Sequence, residues 1–147
     1  MSPATTIRLA KEFNNIVATK EASGSFAQFN EILRDKPEGF LLISGDDPVT
    51  LPMIAIGAAG IISVVGNAYP KEVSTLTKLA LEGNYQEARN YHNRLLAITD
   101  MCFAEGNPCG VKYILQQKGI GTDYVRLPLV PIGTSLQEKI KAEMQNF

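Results

Sequence analysis

The sequence has very few of the residues that most often form metal sites, disulfides or catalytic dyads: of 147 residues, two are cysteines and one is a histidine. Cys102 and Cys109 are separated by six residues, a spacing that fits neither a zinc site nor a redox CxxC pair. His92 lies in a long helical pattern, where a packed or solvated surface histidine is the ordinary interpretation. Any Ser/His or Cys/His catalysis would have to use it. We expect reduced thiols, no metal and no cofactor.

An excess of charge of one sign and long apolar runs are also lacking. Fourteen basic and 15 acidic residues leave a formal net charge of -1, so nothing indicates a nucleic-acid or anionic-membrane partner. Glycine and proline interrupt the apolar stretches before they reach membrane-spanning length, and residues 1–4 lack the features of a signal peptide. We therefore expect a cytoplasmic protein with no nucleic-acid and no membrane partner.

Helical and strand patterns alternate over the first half of the chain. Three apolar runs predict strands, and amphipathic or capped segments predict the helices around them. Strands that are apolar on both faces and separated by single helices are typical of a parallel sheet in right-handed βαβ units, so we predict an α/β fold. The predicted strands are 15–19, 40–43 and 61–65, and the predicted helices are 5–13, 25–34, 49–56 and 70–82.

No strand pattern follows residue 83. Helical patterns cover 85–104, 111–117 and 136–145, and the proline-punctuated segment 119–131 is too extended to be a helix. We predict two parts, an α/β part at 1–83 and a C-terminal helical region at 84–147 that packs on it.

Lys20 is the candidate nucleophile. It follows an apolar strand pattern and precedes a turn of small residues, which places it at the C-terminal end of a buried strand. Burial favours a neutral amine, and a neutral amine can attack a carbonyl to form a Schiff base. The alternative from this pattern alone is a solvated strand end. Thr19 and Glu21 should point away from the face that Lys20 uses, so no chemistry is assigned to them.

The adjacent carboxylates of Asp46 and Asp47 also suggest chemistry, either as metal ligands or as an acid-base pair. Asp47 precedes Pro48 at the start of a predicted helix. We therefore predict that the two aspartates cap this helix and complement its dipole.

Five short segments occur in a fixed order along almost the whole chain. They are TKEASG at 19–24, LISGDD at 42–47, GIISVVGN at 60–67, EGNP at 105–108 with VK at 111–112, and RLPLVP at 126–131. Together they resemble the family of pyruvate-dependent aldolases that contains dihydrodipicolinate synthase and N-acetylneuraminate lyase. The SGDD and RLPLVP segments resemble the synthase branch more than the sugar-acid lyases.

The resemblance implies a TIM (β/α)8 barrel, of which 1–83 would supply the last three parallel strands with their helices. It also implies that Lys20, on the sixth strand, forms a Schiff base with pyruvate, which then condenses with aspartate semialdehyde in lysine biosynthesis via diaminopimelate. Gly45 and Ile62 would line the pyruvate pocket. Each also has a structural interpretation: Gly45 as the residue that a sharp turn requires, and Ile62 as a filler of the barrel interior.

A complete barrel needs about 250 residues, and the resemblance leaves its first five strands without a counterpart here. The family's proton relay and its contacts to the second substrate fall in that part, so we expect weak or absent activity from the chain alone. Val17, Leu42 or Ile43, and Ile62 or Val64 should lie on an uncovered face that associates with an N-terminal barrel half or with copies of the chain. The alternative is an inactive fragment or paralogue that acts through association.

Overall fold

The computed structural model describes every residue from Met1 to Phe147. The helices are α1 (Pro3–Glu12), α2 (Phe26–Asp35), α3 (Thr50–Ala55), α4 (Pro70–Leu81), α5 (Tyr85–Phe103), α6 (Cys109–Gln117) and α7 (Thr134–Met144). The strands are β1 (Ala18–Glu21) and β2 (Leu41–Ser44), which lie on either side of α2 in the chain. Short 3-10 turns occur at Asp47–Val49 and Val65–Asn67. None of the helices combines the length and the apolar character that crossing a bilayer requires.

Side-chain caps explain where several helices begin. Ser2 accepts a hydrogen bond from the backbone N–H of Thr5 at 3.3 Å, and Ser25 accepts one from the N–H of Gln28 at 3.3 Å. Asn84 caps α5 in the same way. Each of these bonds satisfies one of the N–H groups that the first turn of a helix leaves without a partner. The predicted helix starts, with or without such a cap, are confirmed to within two residues.

The sheet contains two parallel strands instead of the three that the sequence predicts. β1 pairs with β2 in the register Ala18↔Leu41 to Glu21↔Ser44. The predicted third strand at 61–65 is wrong: only Ile61 forms a bridge, to Ser44, and a 3-10 turn follows at Val65–Asn67. A strand with one neighbour needs its other backbone groups satisfied elsewhere, and here the N–H of Val64 bonds to a side chain, Asp47 Oδ2, at 2.9 Å.

The first strand also begins three residues later than the sequence predicts. Lys20 is therefore inside β1, where it pairs with Ile43. Its side chain is exposed, so the predicted burial of the amine is wrong and the solvated alternative describes it. Val17 precedes the strand instead of lying in it, and its side chain is uncovered as expected, at 62% exposed. Leu42 is 1% exposed and belongs to the core on the helix-covered face, which leaves Ile43 on the other face.

One apolar core joins the covered face of the sheet to the helices that follow it. At one crossing, between α5 and α6, a Cβ atom added to Gly110 would lie 2.6 Å from the backbone oxygen of Met101. Such close packing of two backbones is possible only because glycine has no side chain. Fully or almost fully buried core residues include Phe29, Ile32, Leu42, Met53, Ile98, Cys102, Ile114 and Ile140.

Candidate functional site

Lys20 and Gly45 are brought together at the C-terminal ends of β1 and β2. The side chain of Lys20 lies over Gly45: a Cβ atom added to Gly45 would be 2.7 Å from Lys20 Cε and 2.9 Å from Lys20 Cγ. The backbone N–H of Gly45 donates to the carbonyl of Glu21 at 2.8 Å, which continues the strand pairing past the end of β2. Gly45 therefore forms a shallow groove for the lysine stem. The direct contact between the lysine stem and Gly45 is a finding of the structure, whereas the resemblance implied only that both residues border one pocket.

Ile62 lies on the same side of the sheet. Its N–H donates to the carbonyl of Ser44 at 2.8 Å, and its neighbour Ile61 is the bridge partner of Ser44. Because side chains alternate along extended backbone, Ile62 faces opposite to Ile61 and Ser44, towards the face that carries Ile43 and Lys20. Ile62 is 50% exposed, since no helix covers this face. The three predicted site residues thus share one open face.

Glu21, immediately after Lys20, faces the covered side and is 8% exposed. Its Oε1 accepts a hydrogen bond from the N–H of Ser23 at 2.7 Å, and its Oε2 accepts one from Gln28 Nε2 at 2.7 Å. Burial raises the pKa of this carboxyl, but the hydrogen bonds from Ser23 and Gln28 outweigh it and leave the pKa below its ordinary value. The sequence predicts that Glu21 points away from the face of Lys20, and this is confirmed, but the hydrogen bonds of its carboxylate were missed. An acidic residue between a strand and a small-residue turn was the available signal.

Asp47 does not cap the helix, so that prediction is wrong for this residue. Its carboxylate accepts hydrogen bonds from the hydroxyl of Ser63 and from the N–H of Val64, and thereby ties the loop after β2 to the segment that follows the Ile61 bridge. Asp46 occupies the cap position of the 3-10 turn at Asp47–Val49 but makes no side-chain cap bond, so the predicted cap is wrong for this residue as well. Burial, and then the charge of Asp47, raises the pKa of Asp46. The carboxylate of Asp47 and the backbone carbonyl of Asp46, which accepts from the hydroxyls of Ser44 and Thr50, organise the loop that ends the site.

The cysteines and the histidine lie in the C-terminal helices. Cys102 and Cys109 are both buried and unpaired. Burial raises the pKa of Cys102 to about 12, so its thiol stays protonated and unreactive at neutral pH. His92 is half-buried on α5, and desolvation lowers its pKa. Lys20 is the only predicted nucleophile on the open face.

Two parallel strands backed by helices, with a lysine and a glycine side by side at their C-terminal ends, define an α/β protein with a candidate amine nucleophile. The model of the dihydrodipicolinate synthetase family matches residues 1–147. The chain belongs to the dihydrodipicolinate synthetase family.

Similar proteins agree with this assignment and show how much of them the chain covers. It is 46% identical over 142 residues to a 4-hydroxy-tetrahydrodipicolinate synthase of Phocaeicola vulgatus, covering 97% of this chain and 48% of that protein. The crystal structure of dihydrodipicolinate synthase from Aquifex aeolicus matches with a TM-score of 0.95 at 38% identity, covering 98% of this chain and 49% of that one. The chain spans about half the length of the relatives it matches.

A third relative carries a ligand. The chloride-inhibited dihydrodipicolinate synthase from Acinetobacter baumannii, complexed with pyruvate, matches with a TM-score of 0.91 at 32% identity. The match covers 99% of this chain and 50% of that one.

Proposed function

We propose that this chain supplies the Schiff-base lysine, Lys20, of a dihydrodipicolinate synthase-type aldol condensation. The observation that carries the proposal is the contact between the stem of Lys20 and Gly45 on the open face of the sheet. Gly45 and Ile62 would form one wall of the site that receives pyruvate, next to the lysine itself. A relative that was solved with pyruvate bound supports this choice of first substrate.

In the proposed reaction, the neutral Lys20 amine attacks the keto carbon of pyruvate. The former keto oxygen leaves as water, and a C=N bond joins the lysine nitrogen to the substrate carbon. Loss of a proton from the methyl group gives an enamine, which attacks the carbonyl carbon of aspartate semialdehyde. A carbon-carbon bond forms, and the aldehyde oxygen takes up a proton. The amino group of the aspartate semialdehyde part then adds to the imine carbon and closes a ring, and the lysine leaves as the amine with a proton from that group, which releases the product.

Proton transfer is the part of this reaction that the open face does not provide. The neighbours of Lys20 on that face are Ala18, Leu41 and Ile43, none of which has a titratable group. A proton relay must lie within hydrogen-bond reach of the reacting atoms. We therefore propose that the strands preceding this part of the fold, contributed by an N-terminal barrel half, complete the site, and that the chain alone has weak or no synthase activity.

Reductive trapping tests the proposal. The chain is incubated with pyruvate and borohydride, alone and together with the N-terminal half of the Phocaeicola vulgatus synthase, and peptides are analysed by mass spectrometry. We expect Lys20 to gain the mass of pyruvic acid less one oxygen, with a larger yield in the mixture. Lys20→Ala should abolish this adduct.

Lys71→Ala is the matched control, because Lys71 is an exposed lysine on α4. It should leave the Lys20 adduct unchanged. Failure to modify Lys20 in both the chain alone and the mixture would rule out the enzymatic proposal. Modification of Lys71 at a rate equal to that of Lys20 would show general amine reactivity instead of a site.

A second candidate, association without catalysis, is favoured by the apolar surface around the site. Leu41 is 44% exposed and Ile62 is 50% exposed on the open face. A neighbouring groove of about 660 Å³ is lined in part by Ile61, Val73 and Leu81. Large uncovered apolar patches mark interaction sites. Analytical ultracentrifugation distinguishes the outcomes: a complex that never traps pyruvate supports association alone, whereas a monomer under all conditions argues against it.

A further inference from the structure

The backbone around Lys20 is fixed within the sheet and from its covered face through a single neighbouring residue, Glu21. Within the sheet, the carbonyl of Glu21 accepts the N–H of Gly45 at 2.8 Å, which holds β1 against the end of β2. On the covered face, its buried carboxylate accepts from the N–H of Ser23 and from the amide of Gln28, both at 2.7 Å. We call this set of Glu21, Ser23 and Gln28 the Glu21 brace.

The brace connects the reactive strand end to the helix that follows. Ser23 lies in the turn after β1, and Gln28 lies in the first turn of α2, where its own N–H bonds to the Ser25 cap at 3.3 Å. The carboxylate therefore holds the turn and the helix start in one arrangement. Ala22, between Glu21 and Ser23, is exposed and lies on the Lys20 side: its Cβ is 3.0 Å from the position that a Cβ on Gly45 would take.

We propose that Glu21 is a positioning residue for Lys20, holding the strand end and turn so that the amine leaves the sheet along the Gly45 groove. The proposal rests on the function proposed for Lys20 but extends to a residue on the opposite face. Glu21 does not touch the substrate side, so its effect passes through the backbone of residues 20–22. A carboxylate suits this task because it accepts two hydrogen bonds in a buried setting, which an alanine would leave unmade.

Substitutions separate the brace from its charge. Glu21→Ala removes both acceptors and releases Ser23 and Gln28. Glu21→Gln keeps the shape: the amide oxygen accepts from Ser23, and the amide nitrogen donates to the Gln28 oxygen once the Gln28 amide is turned over. The double substitution Glu21→Gln with Gln28→Glu restores a bond between one amide and one carboxylate, with donor and acceptor exchanged. Glu31→Ala is the matched control, because Glu31 is an exposed carboxylate on the same helix.

Two measurements are made on each folded variant. The first is the nuclear Overhauser contact between the Lys20 ε-methylene and the Gly45 α-protons, which needs no pyruvate. The second is the rate of reductive trapping of pyruvate, per folded molecule, in the assembly where the wild-type chain forms its adduct. We expect Glu21→Ala to lose the contact and to trap about ten to a hundred times more slowly, as for a misplaced catalytic group. The glutamine variant, the double variant and the control should keep both.

A role in stability alone predicts a different result. Glu21→Ala would then lower the melting temperature while the Lys20 to Gly45 contact persists, and that result overturns the proposal. An unchanged trapping rate after the contact is lost overturns it as well. If the wild-type chain forms no adduct in any assembly, the function proposed for Lys20 fails, and the contact measurement alone decides whether Glu21 positions the amine.

Discussion

The two-stranded sheet and the crossing of α5 and α6 represent opposite ways of using a glycine. At the helix crossing, the missing side chain of Gly110 lets two backbones meet, with the nearest atoms being the carbonyl oxygen of Met101 and the Cα of Cys102. At the sheet end, the missing side chain of Gly45 makes room for a flexible lysine. The first glycine serves a closed core and the second serves an open face. We therefore expect stability to depend on the first glycine and the proposed chemistry to depend on the second.

Truncation of a core residue should give the largest effect. Ile98 on α5 is 0% exposed, so Ile98→Ala leaves a cavity and should lower the free energy of unfolding by about 2–5 kcal/mol. Ile62→Ala on the open face should cost less than about 1 kcal/mol, because half of that side chain is already in water. Urea denaturation followed by circular dichroism measures both. Equal losses would mean that the open face is covered in solution.

The second-largest effect is expected at alkaline pH, which should lower the stability of the helical core. The pKa of Cys102 is 9.0 ordinarily and is raised by burial to about 12 in the folded chain, so above pH 9 the unfolded chain releases this proton first. The contribution of Cys102 to the free energy of unfolding is therefore fully present below pH 9 and is lost as the pH rises towards 12. The loss should be about 2 kcal/mol between about pH 8 and about pH 10.5. Burial raises the pKa of Tyr69 to about 12 as well, which adds to the loss. Urea titrations across this range measure the slope.

The control for the alkaline experiment is Cys102→Ala. Its absolute stability differs from that of the original chain, but most of its pH dependence between about pH 8 and about pH 10.5 should disappear. A slope that stays the same in this variant would assign the alkaline loss to other groups.

Alanine at each of the two glycines sharpens the comparison directly. Gly110→Ala drives a Cβ into backbone that cannot move aside, and should cost about 1–3 kcal/mol of stability with no direct effect on Lys20. Gly45→Ala meets mainly the lysine stem, which can shift, so the stability loss should stay below about 1 kcal/mol while pyruvate trapping slows at least about tenfold. Denaturation and trapping are measured on both variants. The reverse pattern would contradict the division between core and site.

Gly133→Ala is the control for both glycine substitutions. Its added Cβ would lie 3.6 Å from the nearest atom, Glu105 Oε1, which is an ordinary contact. The free energy of unfolding should change by no more than about 0.5 kcal/mol. The trapping rate should change by no more than the factor that corresponds to this energy.

Surface ion pairs should give the smallest effect in either part. Arg8 and Glu12 on α1 approach to 3.9 Å with side chains 68% and 55% exposed, and Lys78 and Glu82 at the end of α4 approach to 4.0 Å. Glu12→Gln or Glu82→Gln should each change the unfolding free energy by about 0.5 kcal/mol or less, because water screens such pairs. Urea denaturation at low and at high salt provides the measurement. A loss above about 1 kcal/mol would show that the pair is part of a larger network.

Local patterns predicted most of the helices because their starts depend on near neighbours. The caps at Ser2 and Ser25 bond to residues three positions further along the chain, which a sequence displays directly. The predicted third strand failed for the opposite reason. The N–H of Val64 bonds to Asp47, 17 residues away, and no local pattern distinguishes that contact from strand pairing. Asp47 was misread as a cap because its partners lie equally far off.

The candidate site likewise has a part that local motifs predict and a part that depends on distant contacts. Lys20, Gly45 and Ile62 were each found from short motifs and their resemblance to a family, and the structure places them on one face. The contact between the lysine stem and Gly45, and the buried contacts of Glu21, depend on the register between β1 and β2. That register joins residues more than 20 positions apart, so it could not be derived from periodicity alone.

The groove at Gly45 also has a genetic consequence. Every amino acid that a single-base change can place at a glycine codon carries a Cβ atom, and here any Cβ would come within 2.7 Å of Lys20 Cε. No intermediate residue narrows the groove by a small amount. A mutation of this codon therefore alters the groove in a single step, and reversion of the codon restores the groove.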